Sequence, residues 1–207
     1  MAEHDDVSIT IDCSFGYESV IGEVTMEVHA GEFIAVTGAN GSGKSTLIST
    51  IAGECEPREG IVRVVHGEHN VLVDPATPSA AGCVTRIAEP QFFPDLTIGE
   101  HIFLLSRKTG ISEAELLART QAWQLDELPN TFPSRLSSGQ RQRAHLGMQL
   151  AVASPIIVLD EPERHVDSQW VKVLCQQLRQ KAQSGSTIIV ATHSPDVVTV
   201  ADWELQL

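Results

Sequence analysis

Hydrophobic and polar residues alternate in two stretches near the start of the chain, VSITIDCSF at residues 7–15 and VTMEV at residues 24–28. Because an alternation of period two brings every second side chain to one face, both stretches are predicted to be strands of a half-exposed antiparallel sheet. EFIAVTG at residues 32–38 is a denser apolar run, which is typical of a strand buried on both faces. This strand leads directly into a glycine-rich segment.

Helical spacing of apolar residues first appears in KSTLISTIAG at residues 44–53, where Gly53 is a suitable helix stop. Residues 54–90 are punctuated by glycine and proline and are predicted to be irregular with short strands. Three further helices are predicted over residues 97–107, 112–124 and 138–153, with a pattern resembling a capping box at Ser112 and Glu115. These three helices form a mostly helical insert.

Two more buried strands are predicted near the end of the chain, in PIIVLDEP at residues 155–162 and STIIVATHS at residues 186–194. The amphipathic stretch between them, residues 167–185, predicts a helix. A strand, a helix and a strand in this order predict a parallel pair with a right-handed crossover, and therefore an α/β fold. ADWELQL, the last seven residues, is predicted to be one more strand, so no separate C-terminal domain is expected.

Composition and charge narrow the class of protein. The 207 residues are expected to form a single domain with a good core and an inserted subdomain. Fourteen basic against 27 acidic residues give a net charge of −13, which disfavours nucleic acid as a partner. The four cysteines show no C-x-x-C spacing, so a reducing cytosol is expected.

The N-terminus does not predict export, and the apolar runs do not predict a membrane span. The N-terminus MAEHDDVSIT lacks the positive start and apolar core of a signal peptide. The most apolar stretch, residues 146–159, is shorter than the about 20 helical residues that cross a bilayer. Any work at a membrane is therefore expected to be done from outside the bilayer.

The glycine-rich segment matches the P-loop pattern Gly38-x4-Gly43-Lys44-Ser45. Glycines let backbone N–H groups converge on an anion, and the helix that follows directs its positive end at the same point. Lys44 would reach the β- and γ-phosphates and the Ser45 hydroxyl would coordinate Mg²⁺. A glycine-rich turn with no ligand is the alternative, but the strand before and the helix after favour phosphate binding. The predicted nucleotide-binding loop is Gly38, Ala39, Asn40, Gly41, Ser42, Gly43, Lys44, Ser45 and Thr46.

Two acidic residues, Asp160 and Glu161, end the buried strand IIVLD. A carboxylate in such a place needs a charged partner to stay ionised, and Mg²⁺ is the partner that a P-loop protein supplies. Asp160 is therefore predicted to bind the metal, and Glu161 to orient or deprotonate an attacking water. Without a P-loop, two acids in this position are usually only the end of a strand.

LSSGQ at residues 136–140 places two hydroxyls and a glycine before a helix, which on its own is an ordinary helix cap. In the order P-loop, LSSGQ, a strand ending in DEP and a histidine in ATHS, however, the chain resembles an ATP-binding cassette (ABC) ATPase over nearly its whole length. The family pattern is commonly LSGGQ, so Ser138 is a mild departure. The resemblance implies a P-loop NTPase fold with a RecA-like parallel sheet core, an antiparallel β-subdomain and a helical subdomain over about residues 91–150.

The resemblance also implies roles and partners. In this family the P-loop of one subunit and the LSSGQ segment of another close on the same ATP, so Ser137, Gly139 and Gln140 are expected to contact nucleotide in trans. His193 is the implied switch histidine, and Asp167 matches the aspartate that faces the partner subunit. Whether the dimer is homo- or heteromeric is left open.

The sequence leaves two choices of residue open, one for the contact with adenine and one for the position near the metal. The family stacks an aromatic residue on adenine, and here both Tyr17 and Phe15 are available, with Tyr17 favoured. The family also brings a glutamine near the metal. Spacing points to Glu89 for this role and residue type points to Gln91, and both can approach Mg²⁺.

The leading hypothesis is therefore the ATPase subunit of an ABC transporter, a cytoplasmic protein held at the inner face of the membrane by an integral membrane permease. Phe92, Phe93 and the DLTIGEH segment lie where family members receive that partner. The alternatives are a non-transport ABC ATPase acting on a soluble macromolecule and a small-molecule kinase that shares only the P-loop. The first usually carries coiled coils, zinc inserts or two cassettes, and the second would need no LSSGQ segment.

Overall fold

Two sheets dominate the first of the two compact units into which the chain divides. The structure is a computed structural model that describes residues 7–66, 71–80, 82–152 and 154–207, so residues 1–6 of the N-terminal stretch MAEHDDVSIT lie outside the described residues. The first unit comprises Met1–Ala88, Ser154–Glu161 and Cys175–Leu207. The second comprises Glu89–Ala153 and Pro162–Leu174.

The antiparallel sheet of the first unit has the strand order β2-β1-β4-β5. Its strands are β1 (Ser8–Phe15), β2 (Gly22–Val28), β4 (Glu59–His66) and β5 (Val71–Val73). In β1 the residues Ile9, Ile11 and Cys13 are buried, as the alternation predicts, and Ile9 pairs with Val28 of β2. One face of this sheet thus contributes to the core of the first unit.

The parallel sheet has the strand order β6-β7-β8-β3-β9. Its strands are β3 (Phe33–Thr37), β6 (Val84–Ile87), β7 (Ile156–Asp160), β8 (Thr187–Ala191) and β9 (Trp203–Gln206). Apolar side chains of β3, β7 and β8 join those of β1 and of helix α1 (Lys44–Ile51) in one hydrophobic core. Helices α5 (Ser168–Gln183) and α6 (Pro195–Val200) complete the described helices of the later part of the chain.

The second unit is mostly helical, with α2 (Ile98–Thr109), α3 (Glu113–Arg119) and α4 (Ser138–Ala151), and short 3-10 turns lie between α3 and α4. Its core includes the fully buried Leu116, Leu125 and Leu146, and Trp123 at 1% exposure. A reciprocal capping box of Thr97 and Glu100 starts α2, and the backbone N–H of Thr97 holds the pKa of Glu100 below its usual value. None of the helices within the described ranges is long and apolar enough to cross a bilayer.

Two local predictions need correction. The helix predicted over residues 112–124 ends at Arg119 with Thr120 as its C-cap, and a 3-10 turn over Gln121–Trp123 takes the place of its last part. Only half of the expected capping box forms there: Ser112 accepts the Glu115 N–H, but the Glu115 carboxylate pairs with Arg119 one turn further along. An arginine at spacing i,i+4 thus draws the carboxylate away from the cap.

Candidate nucleotide-binding site

The glycine-rich loop connects β3 to α1 and is shaped by close contacts beneath it. Gly43 is the residue before α1 and has a left-handed φ of 97°. A Cβ atom at Gly43 would lie 2.8 Å from Ile21 Cγ2 and 2.9 Å from Phe15 Cε2. At Gly41, with φ of 82°, a Cβ would meet only open space. The loop therefore rests on apolar side chains on one side and is open on the other.

The start of α1 fits an anionic group. Among the described residues no side chain caps this helix, and its first turn contains no acidic residue. The positive end of the helix thus has no competing carboxylate. The Ser42 hydroxyl in the same loop is buried and has no hydrogen-bond partner within the part of the chain that is described. These features fit the phosphate groups of a nucleotide.

Lys44 folds back over the loop that precedes it. Its side chain is only 5% exposed, and Nζ donates to the carbonyl oxygens of Gly38 at 2.9 Å and Ala39 at 3.0 Å. The ammonium group is therefore held against the first residues of the loop. A phosphate entering the loop would meet a fixed positive charge there.

Ser45 and Asp160 meet at the carboxyl end of the parallel sheet, although 115 residues separate them in sequence. Ser45 Oγ donates to Asp160 Oδ1 over 3.0 Å. A hydroxyl and a carboxylate are ligands that Mg²⁺ takes, usually together with water and phosphate oxygens. The described residues contain no cluster of three or more His, Cys, Asp or Glu side chains suited to a metal.

The second carboxylate oxygen of Asp160 has a partner that sequence reasoning missed. Arg86, on β6, brings its Nη2 to 3.5 Å from Asp160 Oδ2 and also pairs with Glu54 through Nη1. The signal in the sequence was a charged residue within the short segment VTRI. A charged residue in such a segment does not by itself predict which carboxylate it will pair with.

Glu161 and His193 lie at the ends of the neighbouring strands β7 and β8. Glu161 has a left-handed φ of 46°, and its N–H donates to the carbonyl oxygen of Ala191 at 2.9 Å. Its Oε1 lies 3.4 Å from His193 Nε2. A non-glycine residue in this conformation is held there by its surroundings, and such strain is concentrated at functional sites.

The two aromatic candidates for the adenine contact differ in exposure. Phe15 is completely buried beneath the loop, whereas Tyr17 is 63% exposed. The backbone carbonyl of Tyr17 accepts a hydrogen bond from the side chain of Arg58, the residue just before β4. Only Tyr17 therefore presents a ring face to a ligand.

The LSSGQ segment lies in the second unit, at the start of α4. Ser137 and Gln140 form a reciprocal capping box: the Gln140 N–H donates to Ser137 Oγ at 3.2 Å, and the Ser137 N–H donates to Gln140 Oε1 at 3.0 Å. At Gly139 a Cβ atom would lie 2.9 Å from the carbonyl oxygen of His165. The segment is thus fixed as a helix start with a tight backbone contact.

Glu89 and Gln91, the two candidates for the metal-approaching position, also lie in the second unit. Glu89 is largely exposed and faces Arg164 at 3.5 Å. Gln91 lines an apolar groove of about 410 Å³. The two side chains therefore have different surroundings within this unit.

We call the groove lined by Gln91 the aromatic groove. It is bounded by residues of the segment before α2 and of helices α2 and α4: Gln91, Phe92, Phe93, His101, Leu104, Leu105, Lys108, His145, Met148 and Gln149. Its rim exposes Phe93 (64%) and Leu104 (42%). His101 organises it, because its Nε2 accepts the Phe93 N–H at 3.0 Å and its ring stacks on Phe93.

A glycine-rich loop between a strand of a parallel sheet and a helix, with a carboxylate at the end of another strand of that sheet, defines the class of P-loop nucleoside triphosphatases. The family described as ABC transporter matches residues 21–164. An uncharacterised ABC transporter ATP-binding protein of Mycobacterium tuberculosis is 34% identical over 199 residues, which cover 91% of this chain and 79% of the relative. The chain belongs to the ABC transporter family of ATP-binding proteins.

Solved structures agree with this assignment. The structure of an ATP-binding subunit of an ABC transporter superposes with a TM-score of 0.82 at 26% identity, over 97% of this chain and 85% of the other. A dimeric ATP-binding cassette in a post-hydrolysis state with ADP and phosphate gives a TM-score of 0.78 at 25% identity, over 97% and 94%. The predicted family and the predicted P-loop NTPase fold are confirmed.

Proposed function

We propose that this chain is the ATP-binding and ATP-hydrolysing subunit of an ABC transporter and that it works with Mg²⁺. The observation that carries the proposal is the hydrogen bond of 3.0 Å between Ser45 Oγ and Asp160 Oδ1. It joins a hydroxyl and a carboxylate immediately beside an uncapped helix start. Triphosphate and metal are the two charged groups that such a combination suits.

Residues 38–46 would hold the phosphates through backbone N–H groups, and Lys44 would add a positive charge near the terminal phosphate. Tyr17 would stack on adenine, since it is the exposed aromatic residue of the turn after β1. Ser45 and Asp160 would hold Mg²⁺, which when bound neutralises charge on the phosphate oxygens. These residues account for binding but not for turnover.

Turnover would depend on Glu161 and His193. Glu161 would accept the proton of the attacking water, and His193, 3.4 Å from Glu161, would orient that water and the terminal phosphate. The strained backbone of Glu161 would fix the direction of its carboxylate. Positioning and charge stabilisation would thus supply the catalysis.

We further propose that two such subunits close around ATP. Ser137 and Gly139 of one subunit would meet the nucleotide bound to the loop of another, with Gln140 fixing the helix start that presents them. The similarity to a dimeric ATP-binding cassette at 25% identity supports this arrangement. Closure driven by ATP and opening after hydrolysis would convert binding energy into a shift between two states.

The aromatic groove is the proposed seat of an integral membrane permease, which would hold the chain at the inner face of the membrane. Its exposed Phe93 and Leu104 form an apolar surface of the kind that marks a protein contact. The alternative, an ABC ATPase with a soluble macromolecular partner, would use the same nucleotide chemistry. The name of the M. tuberculosis relative, an ABC transporter ATP-binding protein, favours transport.

Nucleotide binding is tested with Lys44→Ala, which removes the ammonium group held against the loop. We expect at least tenfold weaker binding of a fluorescent ATP analogue, because a charge-assisted contact to phosphate is lost. Lys172→Ala, an exposed lysine on α5, is the matched control and should bind normally. Equal affinity for all three proteins would refute the assignment of the loop.

Docking is tested by co-purification from detergent extract. Phe93→Ser should lose an integral membrane protein that the unchanged chain retains, while ATP binding persists. Leu72→Ser, an equally exposed apolar residue on β5, should retain that protein. Retention of soluble proteins alone by the unchanged chain would favour the alternative function.

A further inference from the structure

The carboxylate of Asp160 already has a positive partner within this chain. Its side chain is 17% exposed, and Arg86 Nη2 lies 3.5 Å from Oδ2. Ser45 occupies the other oxygen. A cation supplied by the protein therefore sits at the carboxylate to which the proposed function assigns the metal.

The guanidinium of Arg86 has few other partners among the described residues. It lies on β6, the edge strand of the parallel sheet, where the residues two positions away are Val84 and Ala88. Its Nε is buried without a hydrogen-bond acceptor among the described residues. Apart from Asp160, its ion-pair partner in the described part of the chain is Glu54, whose side chain is 51% exposed. The guanidinium is thus shared between one sheltered and one solvated carboxylate.

A guanidinium and a divalent metal cannot both neutralise Asp160 without repelling each other, because like charges a few ångströms apart are strongly unfavourable at a partly buried site. Glu54 offers the guanidinium a second anion on the solvent side. The side chain can therefore give up Asp160 without becoming an unpaired charge.

We propose that Arg86 is the resident counter-ion of Asp160 and withdraws to Glu54 when the metal enters, so that Arg86 and Glu54 together set the metal affinity of the site. This inference rests on the proposed function, since it takes Asp160 as a metal-binding residue. Arg86 acts here as a positioning residue and opposes the metal. In the absence of metal its guanidinium, 3.5 Å from Oδ2, holds the Asp160 carboxylate in place.

The test is a titration with Mn²⁺ in the presence of saturating AMP-PNP, with free Mn²⁺ followed by electron paramagnetic resonance. Arg86→Met removes the charge but keeps most of the side-chain stem, and we expect it to lower the Mn²⁺ dissociation constant by about threefold to tenfold. Glu54→Gln removes the second anion and should raise the dissociation constant by about twofold to fivefold. Opposite effects from two neighbouring residues are not expected of a merely structural pair.

Two controls accompany these variants. Arg86→Lys keeps a positive charge and should bind Mn²⁺ nearly as the unchanged chain does. Arg63→Met breaks another ion pair of the first unit, that of Arg63 with Asp74 at 2.9 Å, and should leave Mn²⁺ affinity unchanged. Circular dichroism of each variant identifies any loss of folding.

Unchanged or weaker Mn²⁺ binding by folded Arg86→Met would overturn the inference. If Arg86→Met does not fold, Glu54→Gln decides alone, and an unchanged or lowered dissociation constant there would overturn it. Failure of the proposed function has a different signature, because the unchanged chain would then bind neither AMP-PNP nor Mn²⁺ in its presence.

Discussion

His193 Nε2 lies 3.4 Å from Glu161 Oε1, and this short distance joins the ends of two neighbouring parallel strands. The pairing of Asp160 with Ala191 sets the register of β7 and β8, so that the residues just beyond each strand meet. The left-handed conformation of Glu161 turns its side chain at this point. A carboxylate and an imidazole held in this way are a suitable pair for positioning a water molecule.

Glu161→Gln should keep ATP binding but lower the rate of phosphate release by about 100-fold or more, because the amide cannot accept the proton of the attacking water. ATP that is bound but not hydrolysed should hold the dimer closed. Phosphate release measures the first effect, and size-exclusion chromatography with ATP measures the second.

Glu113→Gln, in the first turn of α3, is the control for removing a carboxylate and should hydrolyse ATP normally. Normal hydrolysis by Glu161→Gln would show that this residue is not the base. A loss of ATP binding in the same variant would instead point to a role in holding the nucleotide.

Tyr17→Ala should weaken ATP binding by about 1–2 kcal/mol, since stacking of an aromatic ring on a base contributes about that much. Tyr17→Phe should bind nearly normally because the ring face is retained. Fluorescence titration with a labelled ATP analogue measures both. Equal affinity for Tyr17→Ala and Tyr17→Phe would show that this ring does not contact adenine.

Phe15→Ala is the informative comparison, because Phe15 is fully buried. Removing its ring should cost about 3–5 kcal/mol of unfolding free energy by creating a cavity. The protein that remains folded should still bind nucleotide through Tyr17. A selective loss of binding without loss of stability would reverse the assignment of the two aromatic residues.

Much of the fold could be predicted from short-range patterns. The alternation in β1 and the apolar runs of β3, β7 and β8 depend only on which side chains the core accepts, so periodicity revealed them. Strand β6 and helix α6 were not predicted as separate elements. VTRI is too short and too polar to resemble a buried strand, and it forms a partly buried edge strand because it pairs with β7.

Part of the candidate site was likewise predictable from short-range patterns, and part was not. The loop at residues 38–46 was predictable because its geometry demands glycine and lysine at fixed spacing. The choice between Phe15 and Tyr17 depends on burial, which two aromatic residues in one turn do not reveal. The contact of Arg86 with Asp160 depends on strand order, since β6 and β7 are neighbours in the sheet but far apart in sequence.

Gly147→Ala should destabilise the second unit even though alanine is the better helix former. A Cβ atom there would lie 2.9 Å from Trp123 Cγ and 3.1 Å from Leu125 Cδ1, both in well-packed surroundings. We expect a net loss of about 1–2 kcal/mol, because overpacking outweighs the roughly 1 kcal/mol gained in helix propensity. Thermal unfolding measures this loss.

The same change made in a Trp123→Leu background should cost less, because the crowded ring is absent. Such a difference is a coupling energy between the two positions. If Gly147→Ala stabilised the protein in both backgrounds, helix propensity alone would govern this position and the close packing of Trp123 against α4 would not matter.

Asp202 should make stability depend on pH. Burial acts to raise the pKa of Asp202, but hydrogen bonds from the Phe33 N–H and from Arg179, with the charge of Arg179, lower its pKa overall. A carboxylate whose pKa is lower in the folded state stabilises the fold above its unfolded pKa of about 3.9. This contribution is lost as the pH falls through the folded value.

Asp202→Asn should therefore lower the unfolding free energy by about 1 kcal/mol at pH 7, a modest value because the side chain is partly exposed. Urea unfolding at several pH values should show the difference from the unchanged chain constant down to about pH 5 and shrinking below about pH 4. Arg179→Met, which keeps the Phe33 hydrogen bond, should show a smaller difference at pH 7. A difference that grew as the pH fell would contradict the lowered pKa, because a group of raised pKa loses its stabilising effect in the opposite direction.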